Sequence, residues 1–208
     1  MTLEDFLYEW HGDGQYISVH TSGSTGQPKS MLVEKSRMLA SARITCDFLG
    51  LKPDDSALLC MSLDYIAGKM MVVRSIARRL KLISVKPSNH PLACIDSPID
   101  FAAMVPSQVF GSLQVPAERE KLRQIRQLII GGGAIPQDVE SQLRSFPNAV
   151  WSTYGMTETL SHIALRRISG KDASLWYSPF SGVELSLFNG QGNIGQLVIN
   201  APHVCQET

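Results

Sequence analysis

The 208-residue sequence predicts an α/β protein: a mostly parallel sheet flanked by helices over residues 1–178, and the start of a small β subdomain over residues 179–208. Short apolar runs without alternation, such as Ala57-Leu58-Leu59-Cys60-Met61, suit strands covered on both faces. They alternate with stretches whose apolar residues recur every three or four positions, the pattern of crossover helices. After about residue 178 the pattern changes to apolar–polar alternation around Asn189-Gly190-Gln191-Gly192-Asn193, which signals a hairpin.

Taken in order, residues 3–10 form a short amphipathic helix, and Gly12-Asp13-Gly14 turns the chain. Tyr16-Ile17-Ser18-Val19-His20 alternates like a strand, and Ser30-Met31-Leu32-Val33 is a second, so residues 21–29 connect two strands. Glu34 to Leu49 is helical, with Gly50 placed to stop it and Pro53 just beyond. Residues 57–61 are a strand, and Tyr65 to Leu80 a helix with Ile66, Met70, Val73, Ala77 and Leu80 at turns of three and four. Leu82-Ile83-Ser84-Val85 and Phe101 to Val105 are further strands. Pro106 stands at a first helical position, and a charged helix follows around Glu118 to Arg126. Leu128-Ile129-Ile130 runs into three glycines. A helix over Pro136 to Phe146 and a strand over Ala149 to Thr153 follow, and Val183 to Leu187 and Gly195 to Ile199 make the hairpin.

Composition narrows the function. A formal net charge of zero, with no basic block, argues against nucleic acid or an anionic membrane as partner and leaves small molecules. Cys46, Cys60, Cys94 and Cys205 are scattered without C-x-x-C spacing, so neither zinc nor a disulfide framework is indicated, and reduced thiols in a cytoplasm are expected. The amino end lacks the basic head and apolar run of a secretion signal, and no apolar stretch is long enough to span a bilayer. A homodimer stays open.

The chemistry concentrates at His20-Thr21-Ser22-Gly23-Ser24-Thr25-Gly26-Gln27-Pro28-Lys29. Gly23 and Gly26 permit positive φ and close approach, so successive backbone N–H groups can turn toward an anion. The hydroxyls of Thr21, Ser22, Ser24 and Thr25 add donors, and Lys29 adds a point charge. The stretch reads as a polyphosphate cradle, although it has neither the spacing of a nucleotide-triphosphatase loop nor G-x-G-x-x-G. A second constellation, Tyr154-Gly155-Met156-Thr157-Glu158-Thr159, falls at the carboxyl end of a predicted strand, where open parallel sheets bind ligands. Gly131-Gly132-Gly133-Ala134 is a third.

T-S-G-S-T-G-x-P-K together with Y-G-x-T-E resembles the acyl-adenylate-forming (AMP-binding) superfamily, in which these are the hallmark motifs. The resemblance implies the large-domain core of such enzymes, with ATP, Mg²⁺ and coenzyme A as cofactor and co-substrates. A carboxylate attacks the α-phosphorus of ATP to give an acyl-adenylate, and a thiol then captures the acyl group. It implies that Tyr154, with Gly155 beside it, stacks on adenine and that Gly131, Gly132 and Gly133 lie against the base. Thr157 hydrogen-bonds the α-phosphate, Glu158 holds Mg²⁺, and Lys29 neutralises phosphate charge.

Residues 62–74, the Val105-Pro106-Ser107-Gln108 turn and the short leader look most like the o-succinylbenzoate–CoA ligases of menaquinone biosynthesis. Their acid carries a second carboxylate, which calls for a cation. Arg74 is the first candidate and Lys69 the second, with His20 and Ser107 closing the acyl pocket. The alternative is that Arg74 and Lys69 merely snorkel from a helix surface. Neither H-E-x-x-H nor Ser-His-Asp spacing surrounds His20 or His162, so both read as pocket wall or satisfied strand residues rather than acid-base catalysts. The resemblance covers nearly all of this chain but only the central part of such an enzyme. It therefore implies a truncated ligase without the carboxyl-terminal lysine domain, and a poor catalyst by itself. Another acyl- or aryl-CoA ligase, a carrier-protein adenylation domain and a non-catalytic nucleotide-binding remnant are the alternative readings.

Overall fold

The computed structural model describes residues 1–20, 30–191 and 194–201. The expected phosphate loop, residues 21–29, lies outside the described residues.

The chain opens with α1 (Leu3–His11), started by a capping box in which Thr2 Oγ1 accepts from Asp5 N and the Asp5 carboxylate accepts from Thr2 N. Phe6 and Trp10 are its buried face. β1 (Tyr16–His20) and β2 (Ser30–Glu34) pair antiparallel from Tyr16↔Glu34 to His20↔Ser30, so residues 21–29 do join two strands, as the sequence predicts. α2 (Lys35–Phe48) ends before Gly50, whose φ of +62° suits glycine.

β3 (Ser56–Leu59), α3 (Ile66–Arg78) and β4 (Lys81–Ser84) form the first strand–helix–strand unit. β5 (Phe101–Met104), α4 (Pro106–Gln114), α5 (Pro116–Gln124), β6 (Gln127–Ile130), α6 (Gln137–Leu143) and β7 (Ala149–Gly155) continue the rhythm. β8 (His162–Arg167) and the short β9 (Ser178–Pro179) then turn back. The result is a seven-stranded sheet ordered β4-β3-β5-β6-β7-β8-β9, parallel from β4 to β7 and antiparallel at β8 and β9.

Successive side chains of one strand feed opposite cores. Phe101 and Ala103 of β5 join the cluster built with α2 and α3, while Ala102 and Met104 join the cluster built with α4, α5 and α6. This is why the strands read as unbroken apolar runs.

The antiparallel end of the sheet is absent from the sequence reading, because β8 is buried over His162–Leu165 and so lacks the alternation that marks such strands. The expected boundary at 178/179 falls within β9, and Phe180 still packs in the main core. β10 (Glu184–Gln191) and β11 (Ile194–Asn200) form the expected hairpin as their own two-stranded sheet. Among the described residues no helix is long and apolar enough to cross a membrane.

Candidate active site

β3 leads through α3 to β4 on one side, whereas β5 lies on its other side, so the carboxyl ends of β3 and β5 flank the point where the winding reverses. Ligands of open parallel sheets bind in the crevice at such points. Gln108 laces the two strand exits together: its Nε2 donates to the carbonyls of Cys60 (2.8 Å) and Ser88 (3.1 Å), and its Oε1 accepts from Val105 N (3.2 Å).

The glycine turn lies in the same row of strand ends. Gly131 N donates to Met104 O at 3.1 Å, and a Cβ on Gly131 would sit 2.2 Å from Thr153 Oγ1. Gly132, with φ +79°, lies against Val105, and Gly133 beside Pro106. Only glycine lets this turn settle between the ends of β5 and β7. Ser107 is exposed at the start of α4 on that edge.

From β7 the chain runs into a tight loop. A Cβ on Gly155 would meet Ser161 O at 2.3 Å and His162 Cα at 2.5 Å, so glycine permits the bulge where the register shifts. Inside the loop the Thr159 hydroxyl accepts from Met156 N (2.9 Å) and lies 2.7 Å from Ser161 O, to which it donates. Thr159 is thus consumed in folding the loop, while Thr157 and Glu158 are half-buried at its tip. Among the described residues nothing hydrogen-bonds or ion-pairs with the Glu158 carboxylate, leaving its oxygens open to an outside cation. Tyr154 keeps 39% of its surface exposed, and its ring lies tilted against that of Tyr177.

α3 ties this loop to the strand that leads into residues 21–29. The helix is buried nearly all round from Gly68 to Ser75, and Gly68 is required because a Cβ there would strike Ser62 O at 2.2 Å. Arg74 is 2% exposed, and its Nη2 donates to Ser161 Oγ at 2.5 Å. Among the described residues its Nε has no partner and no carboxylate pairs with it, and burial pushes its pKa down to about 10.

Lys69, expected as a second pocket cation, is instead spent on packing. Its Nζ donates to Ser18 O at 3.0 Å and lies 5.7 Å from the centre of the Phe6 ring, and desolvation lowers its pKa. Neither side chain snorkels from a surface.

His20 is exposed at the end of β1 and bridges to Tyr65, just before α3. His162 is buried, with Nε2 3.2 Å from Thr45 Oγ1 and Nδ1 3.3 Å from Ser161 Oγ, in keeping with a satisfied strand residue. Thr21, Ser22, Gly23, Ser24, Thr25, Gly26 and Lys29 lie outside the described residues. Cys46 and Cys60 are buried thiols, and no cluster of metal-ligating side chains occurs among the described residues.

A family model described as AMP-binding enzyme matches residues 10–207. The chain belongs to this family. Among its relatives, a 2-succinylbenzoate–CoA ligase of Bacillus cereus is 27% identical over 148 residues, covering 70% of this chain and 31% of that protein. The ligase of the same name from Enterococcus faecalis is 26% identical over 202 residues, covering 89% and 41%. The chain therefore spans about a third to two fifths of the length of these curated relatives. Among solved structures, an acyl-CoA synthetase (AMP-forming)/AMP-acid ligase II-like protein from Dyadobacter fermentans superposes with TM-score 0.84 at 34% identity, covering 94% of this chain and 58% of that one. The o-succinylbenzoate coenzyme A synthetase of Bacillus subtilis, solved with ATP and magnesium ion, superposes with TM-score 0.73 at 22% identity, covering 91% and 42%, a likeness of fold.

Several members of this candidate site carry no motif. Ser161 and Tyr177 act through contacts with residues far away in sequence and leave no mark in it, whereas Gln108, which does the same, falls in the Val105-Pro106-Ser107-Gln108 turn that the sequence already singles out.

Proposed function

We propose that this chain supplies the ATP- and acid-binding part of an AMP-forming acid–thiol ligase of the cytoplasm, with o-succinylbenzoate as the acid and coenzyme A as the thiol. The observation that carries the reading is the double attachment of α3. Lys69 grips the strand entering residues 21–29, Arg74 grips the segment after Glu158, and the two lie about 7.5 Å of helical rise apart. A helix that fastens both hallmark segments favours their sharing one triphosphate.

In this reading the acid's carboxylate oxygen attacks the α-phosphorus, forming the acyl–O–P bond as the bond to pyrophosphate breaks. The CoA sulfur then attacks the acyl carbon and AMP departs. The chain's task is alignment and charge neutralisation, since phosphoryl chemistry needs little covalent help from protein. Lys29, the amides of residues 21–26 and Thr157 hold phosphate oxygens. Tyr154 stacks on adenine opposite the glycine turn. Glu158, half-buried and unpaired among the described residues, suits Mg²⁺, a hard cation that takes carboxylate oxygen and neutralises charge on the phosphates. Arg74 is a buried cation with no described carboxylate beside it, so a second carboxylate on the acid answers its need, while His20 and Ser107 border the acyl group.

The test is calorimetric titration of the 208-residue chain with ATP, with and without Mg²⁺, and with non-hydrolysable acyl-adenylate mimics. The o-succinylbenzoyl mimic is expected to bind more tightly than ATP and than a benzoyl mimic lacking the second carboxylate. Equal affinity for the two mimics refutes the acid assignment and leaves the family intact. It would favour a ligase for other acyl or aryl acids, a second reading supported by the Dyadobacter fermentans likeness. Failure to bind any of these ligands refutes the nucleotide reading.

A further inference from the structure

Beside Tyr154 stands a second tyrosine that the chemistry above leaves unused. Tyr177 lies just before β9, its hydroxyl 2.6 Å from Ser152 Oγ and its ring centroid 6.0 Å from that of Tyr154, inclined at 59°. Ser152 and Tyr154 are two residues apart on β7, so their side chains leave the same face of the strand. Tyr177 spans that face, bonded to the first and packed on the second.

Tyr177 is itself held in place. The Arg166 guanidinium lies 5.6 Å from its ring centroid, and Arg166 makes two hydrogen bonds to Glu140, at 2.9 and 2.6 Å. Glu140 belongs to α6, the helix that follows the glycine turn. The series of contacts Glu140–Arg166–Tyr177–Tyr154 therefore fastens the helix that follows the glycine turn to the Tyr154 ring. None of these contacts is needed to close the core, because both tyrosine rings stay open to solvent, at 39% for Tyr154 and 40% for Tyr177.

We propose that Tyr177 is a positioning residue for the nucleobase. It holds the Tyr154 ring in the orientation that receives adenine, so that little side-chain freedom is lost when the base arrives. This rests on the adenylate reading of Tyr154. The physical ground is that an inclined aromatic pair with centroids between about 4.5 and 7 Å is attractive in its own right. A ring at a strand end without such a neighbour samples several rotamers, and fixing it on binding weakens affinity.

The test compares ATP with inorganic tripolyphosphate, which has the phosphates and no base, by calorimetry in Mg²⁺ on the wild-type chain, Tyr177→Ala, Tyr177→Phe, Tyr154→Ala and the double alanine variant. Tyr177→Ala is expected to weaken ATP roughly two- to tenfold and leave tripolyphosphate unchanged. Tyr177→Phe, which keeps the ring, stays close to wild type. The double variant binds ATP no more weakly than Tyr154→Ala, because Tyr177 acts through Tyr154. If Tyr177→Ala does not fold, Tyr177→Leu takes its place, keeping bulk over Ser152 and removing the ring.

Wild-type ATP affinity in the ring-less variant overturns the proposal. So does an equal loss for ATP and tripolyphosphate, or full additivity in the double variant. A wild-type chain that binds tripolyphosphate and ATP equally well, or neither, overturns the parent reading of the adenine site and this proposal with it.

Discussion

Replacing Gly131 by alanine tests the closeness of the glycine turn to β7. The new Cβ would lie 2.2 Å from Thr153 Oγ1, while Thr153 Cβ and Cγ2, at 3.5 and 3.8 Å, are ordinary neighbours. The conflict is therefore with a single atom. Neither side retreats easily, because Gly131 N is bonded to Met104 O at 3.1 Å and Thr153 is paired with Leu165 of β8. Overpacking of this kind costs about 1–3 kcal/mol, a fall in Tm of roughly 2–12 °C for a chain of this size. Thr153→Ala removes the offending oxygen, which makes no hydrogen bond among the described residues, and by itself should cost under about 1 kcal/mol. The Gly131→Ala/Thr153→Ala double variant should then be more stable than Gly131→Ala, with a favourable coupling of about 1–2 kcal/mol. Urea unfolding midpoints at matched m-values measure all four corners of the cycle. Simple additivity, or a Gly131→Ala chain as stable as the parent, would show that the turn does not press on Thr153.

Other consequences follow for the site and its supports. Glu158→Gln should abolish the strengthening of ATP binding by Mg²⁺ seen by calorimetry, and a variant that keeps it removes Glu158 from the cation. Arg74→Ala should weaken the o-succinylbenzoyl-adenylate mimic roughly tenfold or more and ATP, which loses only the bracing of the Glu158 segment, by clearly less; an equal loss for both ligands would mean that Arg74 only braces the fold. Hydrogen bonds from Arg166 hold the Glu140 carboxyl below its ordinary value of 4.5. A depressed acid contributes stability above its unfolded pKa and loses it as pH falls through the folded one. Stability should accordingly decline on acidification below 4.5, and Glu140→Gln should flatten that slope in urea titrations at several pH values. An unchanged slope would dismiss the pair as a source of acid sensitivity. In alkylation followed by mass spectrometry, exposed Cys94 should react in the native chain, whereas Cys60, pushed up to about 12 by burial, should react only on unfolding.

The α/β order, the placement of the hallmark segments at strand ends and the family were all legible in the chain before any folding was considered. Such features are local: apolar period, glycine conformational freedom and motif spacing are all read within a few residues. The helix over Tyr65 to Leu80 was legible from its stripe, but not the burial of its flanks. Lys69 reads as a pocket cation until β1 and Phe6 are seen to claim it, and Arg74 as a flank residue until Ser161 meets it 87 positions downstream. These partners emerge only once the elements are packed, as do the Gln108 lacing and the Tyr177 prop. A buried polar group takes whichever partner the packed elements bring to it, and desolvation makes that choice energetically decisive without leaving a periodic mark in the chain.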